Sequence, residues 1–395
     1  MQNLFPDFDN EQLQTDSTGR MQKLSTSRRR RPTEQVVLTT LREWLLYDYI
    51  IPYCRSLAAT RIFRHCYWID GFGGNHILQP VLSTSKELAQ ENRSIFLHYV
   101  ALESKNNTRK ESSIGGTIDI PKESGSLRAS WPDVAPSLLQ AIDQSAAIFS
   151  LNPFISSMPS TFEDLSPLYQ RTAPTELCLL ISKKQIEKRL IPFLRTPKGA
   201  SVFTSLLRSD RWKSILTDSS EKDVVEKLIG AFFDSIQHQH FLTVQCIPLL
   251  MHTAPAVVEP MPYTLIFATR RQDSLLCMND AVCVYHRRLH EHSLEGVLTE
   301  AWFAAQQRER LANEMQQLYQ RILQQGRAQR QRRWPDLRQQ LLLANFGQFT
   351  LCDYDNQIQE LLQSGEVRCE WRQKPAENPQ SEKLPIPGNE DILLW

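Results

Sequence analysis

The stretch "CYWIDGFGGNHI", Cys66–Ile77, runs through an apolar segment to an acid, Asp70, and then through Gly71, Gly73 and Gly74. Such a turn has two readings. Glycine permits the φ values and the close backbone approach that bring N–H groups to a ligand at a helix N-terminus, yet the same residues also make an ordinary tight turn. The dinucleotide spacing G-x-G-x-x-G is not met, because its last position falls on His76. The turn therefore does not read as a nicotinamide dinucleotide site.

Outward from this turn, short apolar runs alternate with helical segments. Strands are expected at "CYWID" (66–70), "IFLHYVALE" (95–103), "GTIDI" (116–120), "AAIFSLN" (146–152), "ELCLLIS" (176–182), "FLTVQCIPLL" (241–250) and "YTLIFAT" (263–269). Most are continuously apolar rather than alternating, the pattern of a parallel sheet covered by helices on both faces. A helix precedes the first strand, with Val37, Leu41, Leu45 and Tyr49 recurring on one face. "PDVAPSLLQAID" reads as a crossover helix. The class is α/β, a Rossmann-like doubly wound sheet.

Two irregularities refine it. A helical insert at about 183–240 ends in an amphipathic helix, with Asp218 and Glu221 at capping-box spacing and Val225, Leu228, Ile229, Phe232 and Ile236 on one face. It is expected to form a lid or a substrate-facing subdomain. The last two strands are separated by "HTAPAVVEPMP" (252–262), whose prolines forbid a crossover helix, so an antiparallel hairpin is expected at the sheet edge. Seven strands closing in a hairpin is the methyltransferase-type plan.

The organisation expected along the chain begins with a disordered basic segment, 1–34, containing "RRRRP". A Rossmann-like domain follows over 35–325, including a long helix from Leu294 with Trp302, Leu311, Met315, Leu318 and Ile322 apolar. Next come an Arg/Gln-rich linker (326–334), a winged-helix module (335–372) turning at Gly347 and Gly365, and a flexible tail (373–395).

Three strand ends carry candidate chemistry. Asp70 with Gly71, Phe72, Gly73 and Gly74 forms the first. Glu103 closes the second strand, where folds of this type bond a ribose hydroxyl pair. Asn152, Pro153 and Phe154 follow the fourth strand, and an Asn-Pro-aromatic step can grip an exocyclic amine while its ring stacks on a flipped base. Each has a bland alternative: a tight turn, a surface acid, and a proline-led loop with Phe154 in the core.

Composition narrows the classes. Lys+Arg at 45 against Asp+Glu at 44 gives a net charge of +1, so bulk charge does not imply a polyanion partner. The eight cysteines show no C-x-x-C spacing, and "HQH" and "HRRLHEH" lack ligand partners at usable spacing, so no metal is expected. Acidic clusters with a lysine, as a nuclease needs, are not found. With neither a signal peptide nor a membrane-length apolar run, the chain is expected to be cytoplasmic and not in a membrane.

The chain resembles the three-Cys-motif partner (TcmP) family over most of 37–372. "YWIDGFGG" is similar to that family's D-G-F-A-G-type segment, "FSLNPFISSMP" to its apolar-D-P-F segment, and "YTLIFATRRQDSLLCMNDA" to its strand followed by a Met-Asn/Asp helix. The resemblance implies a methyltransferase-like Rossmann domain, a terminal winged helix and a partner protein bearing the three-cysteine motif. The family's Gly-Ser-Pro element is reduced here to "LQPVL", and two single positions depart from the family pattern as well. His76 stands in place of a further glycine, where it would crowd the methionine end of S-adenosylmethionine, and Asn152 stands in place of an acid.

Two functions remain open. In one, S-adenosylmethionine binds at Asp70–Gly74 and Glu103, and methyl transfer to DNA or RNA occurs beside Asn152, Pro153 and Phe154. In the other, the chain is a non-catalytic scaffold for a three-Cys-motif partner protein or nucleic acid.

Overall fold

Val37, Leu41, Leu45 and Tyr49 are all buried, as their spacing predicts. They lie on a helical run made of α1 (Glu34–Trp44), a π turn (Leu45–Ile50) and α2 (Ile51–Ala59). Leu46 and Ile50 of the π turn are buried as well. The computed structural model describes residues 33–73, 77–91, 95–103, 124–154, 159–218, 221–254, 257–294, 300–329, 333–372 and 384–395. The segment expected to be disordered therefore lies outside the described residues up to 32, and Thr33 already caps α1. The described residues form two compact units, one within 1–249 and 260–274, the other within 250–259 and 275–395.

The sheet has seven strands in the order β3-β2-β1-β4-β5-β7-β6. They are β1 (His65–Asp70), β2 (Phe96–Leu102), β3 (Gly125–Leu127), β4 (Ala146–Leu151), β5 (Thr175–Ser182), β6 (Thr243–Ala254) and β7 (Val257–Thr269). β1 to β5 pair in parallel, and β7 runs antiparallel to β5. Residues 255–256 alone join β6 to β7, and neighbouring strands linked so briefly run antiparallel.

Two expectations about strands need adjustment. The strand placed at 116–120 lies outside the described residues, and the short β3 holds the third position. The link placed at 252–262 is mostly strand, with Pro260 and Pro262 inside β7. Both prolines precede the stretch that pairs with β5, Tyr263 to Ala268, so on that side no ladder bond needs the missing N–H.

Helices cover both faces. α3 (Leu78–Gln90) links β1 to β2, α4 (Trp131–Ala141) leads into β4, and α5 (Phe162–Gln170) links β4 to β5. The insert comprises α6 (Lys183–Gln185), a π turn (Ile186–Leu190), α7 (Ile191–Leu194), α8 (Pro197–Leu207), α9 (Trp212–Asp218) and α10 (Glu221–Gln237). It does not stand apart as a lid. Phe203, Trp212, Leu228 and Phe232 share one core with Phe149 and Ile266 of the sheet, because an amphipathic helix hides its stripe on the nearest apolar face. Asp218 is the last residue of α9 and Glu221 the first of α10, the side chains of the expected capping box lie outside the described residues, and Val224 is more deeply buried than Val225. On the opposite face, Trp68 meets Tyr99 edge-on at 5.2 Å, and Tyr49 meets Phe267 edge-on at 5.5 Å.

The second unit contains most of α11 (Gln272–Leu294), then α12 (Glu300–Gln329), α13 (Trp334–Ala344), α14 (Leu351–Gln363), β8 (Arg368–Glu370) and β9 (Ile392–Leu394). α12 continues into the expected linker as far as Gln329, and the long helices assigned to the sheet domain fall in this unit from Leu275 onward. Leu318 and Ile322 are buried with Trp334, Leu341, Tyr354 and Ile358, whereas Trp302 and Leu311 are 53% and 44% exposed. Thr350 caps α14 reciprocally with Asp353. The end of the tail is a strand rather than a loose segment: β9 pairs antiparallel with β8, Cys369 opposite Leu393, and Leu393 joins this unit's core. Among the described residues no helix is long and apolar enough to cross a membrane.

Candidate functional site

The register of the parallel strands brings the three predicted strand ends to one edge. Asp70 lies beside Ala101 of β2 and Ser150 of β4. Glu103 comes directly after β2, and Asn152 directly after β4. This is the carboxyl edge, where open α/β sheets bind ligands.

Asp70 is fully buried. Its Oδ2 accepts from Arg42 Nε at 2.7 Å and from the Tyr99 hydroxyl at 2.9 Å, while Oδ1 accepts from the Phe72 amide at 3.0 Å. Arg42 also donates to Tyr99 Oη at 2.7 Å. Burial lifts the Asp70 carboxyl above the usual carboxylate range, with the Arg42 charge opposing it. Burial also weighs against the Arg42 charge, but Asp70 beside it more than restores it. Asp70 is thus spent on holding the turn from beneath, not open to a ligand. Removing one member of such a buried pair costs roughly 3–5 kcal/mol.

The turn itself is shaped by close approach. The Gly71 amide donates to Ser150 O at 2.8 Å, and a Cβ at Gly71 would stand 2.8 Å from Leu151 Cδ2. Gly73 has φ +67, and a Cβ there would meet Leu102 O at 3.1 Å and Glu103 Cγ at 3.5 Å. Gly73 therefore lies directly against the end of β2. Gly71 and Phe72 spend their amides within the protein, and no described residue accepts from the Gly73 amide. Gly74 and His76 lie outside the described residues.

Glu103 is half-buried. Its backbone N–H bonds Leu127 O at 2.8 Å, and its carboxylate has no partner among the described residues. Glu103 and Gly73, packed against each other, thus carry an acceptor and a donor without partners among the described residues. That pairing suits a ligand carrying vicinal hydroxyls and a polar chain.

The end of β4 differs from its expectation. Asn152 Oδ1 accepts from the Phe154 amide at 2.9 Å, and Asn152 Nδ2 donates to Gln185 Oε1 at 2.7 Å. Pro153 is buried, and its carbonyl accepts from the Ser160 amide at 2.7 Å. Phe154 is 4% exposed and lies edge-on to Phe232 at 5.3 Å and tilted against Phe203 at 6.3 Å. The expectation that Phe154 presents a stacking face is corrected: its ring belongs to the core, drawn there by aromatic side chains of the insert.

The sequence reading overlooked Arg42, Tyr99 and Gln185. Arg42 carried a signal, a charge between Leu41 and Trp44 on a helix otherwise bound for the core. Among the described residues no group of three or more His, Cys, Asp or Glu could hold a metal ion. No protein-family model matches the chain, and no curated protein or solved structure does so either.

Proposed function

We propose that this chain binds S-adenosylmethionine at the carboxyl edge of β1 and β2 and acts as a methyltransferase of the three-Cys-motif partner type. The observation that carries the reading is Glu103, packed beside Gly73 with its carboxylate without a partner among the described residues. The strand order, with β7 antiparallel between β5 and β6, supports it as the methyltransferase-type plan. Glu103 would accept from the two ribose hydroxyls, and the Gly73 amide would meet the methionine portion. The cofactor supplies an activated methyl group on a sulfonium. The protein's part is alignment, because in-line displacement depends chiefly on positioning. On this reading the acceptor is a nucleic acid, the substrate that the Asn-Pro step and a terminal winged helix would suit, and Asn152 contributes through its remaining acceptor capacity without Phe154 as a stacking partner.

The second reading, a scaffold for a partner protein, is favoured by that same buried Phe154 and by the second unit. Three helices followed by an antiparallel pair of strands suit a winged helix. α14, where such a module would read a duplex, holds Asp353, Asp355 and Glu360 but no lysine or arginine. That composition suits a protein surface better than a phosphate backbone.

Calorimetric titration with S-adenosylmethionine tests the first reading. Wild type is expected to bind, and Glu103→Ala to bind at least ten-fold more weakly with an unchanged circular-dichroism spectrum. A folded wild type that takes up no heat would leave the scaffold reading in its place.

A further inference from the structure

The amino edge of the sheet, opposite the proposed cofactor site, carries a row of rings. Phe96 stacks on His65 at 5.6 Å, His65 on His98 at 5.2 Å, and His98 on Tyr67 at 4.7 Å, with interplanar angles of 22°, 30° and 21°. The parallel register explains the row, since His65 lies beside Phe96 and Tyr67 beside His98 on one face of β1 and β2. A hydrogen bond of 2.9 Å between His65 Nδ1 and His98 Nε2 fixes the middle of the row. The row ends on Phe96, which is 43% exposed. A phenylalanine at a strand's first position with so much surface in water does little for the core.

The charge beside this row is positive. Arg61 and Arg64 are exposed, and no described acid pairs with either. Arg61 has φ +60, so the backbone is held in a conformation that a non-glycine residue rarely adopts. Two acids of the surrounding elements carry arginine partners of their own, Glu91 with Arg55 and Asp273 with Arg271. Exposed arginines just before the strand that bears His65, with no acid partner among the described residues, and a stack of near-parallel rings match the chemistry of a single nucleic-acid strand. Its bases can extend the row, and its phosphates can meet the guanidinium groups. A duplex offers no free base face to Phe96, and an acidic peptide would use the charges but not the ring.

We infer that this edge, through Phe96, His65, His98, Tyr67, Arg61 and Arg64, is a binding surface for single-stranded nucleic acid. The surface is separate from the cofactor edge, and the inference stands whether or not the chain binds S-adenosylmethionine.

The test is fluorescence anisotropy of a short labelled oligothymidylate at low salt, with full-length protein and no cofactor added. Wild type should bind it, and should bind a duplex of equal length and a polyglutamate peptide more weakly. Phe96→Ala should weaken binding roughly ten-fold, the loss of one stacked base, while Phe96→Trp retains it. Arg61→Gln and Arg64→Gln should each reduce the salt-dependence slope by about 0.7. Absence of binding by folded wild type overturns the inference. So does binding that Phe96→Ala leaves unchanged, or equal affinity for duplex or polyglutamate.

Discussion

The ends of β1 and β4 look alike in the sequence, each an apolar run closing on a polar residue and a turn. In the folded chain they part company. After β1 the turn passes over a buried acid and reaches Glu103, whose carboxylate has no partner among the described residues, leaving Gly73 at φ +67 against the end of β2. After β4 the chain turns inward: Asn152 spends its amide on Phe154 N–H and Gln185, and Phe154 enters the aromatic core. A polar group at a strand end is available to a ligand only if nothing nearer satisfies it. Nearby partners are set by packing across the fold, which one segment of sequence does not display.

The sharpest way to break this comparison is Asp70→Ala. If Asp70 supports the turn as described, the change leaves the Arg42 charge buried without its carboxylate, and urea unfolding should show a loss of about 4 kcal/mol. Arg42→Met added to Asp70→Ala should recover much of it. A stable Asp70→Ala protein that merely loses ligand binding would make Asp70 a direct ligand contact instead. Next in size is Phe154→Ala. A ring filling the core between Phe203 and Phe232 should cost about 3 kcal/mol on truncation. Little change in the denaturant midpoint would mean that the ring is free to leave the core and serve a substrate.

A third acid extends the comparison. Glu176 of β5 is as deeply buried as Asp70, but its neighbours are hydroxyls rather than a cation: Tyr53 Oη and Ser274 Oγ each donate to it at 2.7 Å. Burial pushes its carboxyl from an ordinary 4.5 up to about 7, with those hydrogen bonds opposing the shift. The folded state therefore holds a proton that the unfolded chain releases at lower pH. The contribution to stability is complete below about pH 4.5 and is lost as pH rises through about 7, amounting to at most about 3 kcal/mol. Glu176→Gln should flatten this slope in chemical unfolding between pH 5 and 8 and raise stability at the upper end. An unchanged slope would place the titration elsewhere.

What could be read in advance divides along the same line. The sheet was legible because buried parallel strands write themselves as continuous apolar runs, and "CYWID", "AAIFSLN" and "ELCLLIS" fall where β1, β4 and β5 lie. Asp70, Glu103 and Asn152 were legible as strand ends for the same reason. The partners of Asp70 were not, because Arg42 and Tyr99 stand 28 and 29 residues away in sequence and no local period links them to it. Phe154 was misread because an Asn-Pro-aromatic step looks the same whether its ring faces a ligand or Phe232. The reach of the C-terminal tail was hidden too, since a three-residue strand such as Ile392–Leu394 is specified by its partner β8 rather than by any pattern of its own.

The smallest expected effect tests the turn without touching its chemistry. Gly73→Ala keeps every polar group but asks an L-residue to hold φ +67 with its Cβ 3.1 Å from Leu102 O. The left-handed conformation costs an alanine about 1–2 kcal/mol, so the variant should fold, with a modestly lowered midpoint. The added methyl would also stand 3.5 Å from Glu103 Cγ, in the space between the turn and the end of β2. If that space is the binding site, Gly73→Ala should abolish S-adenosylmethionine binding while Phe154→Leu, a volume-tolerant core change, leaves it intact. If both variants bind equally well, the end of β1 is no more a site than the end of β4, and the tight-turn reading of its glycines takes over.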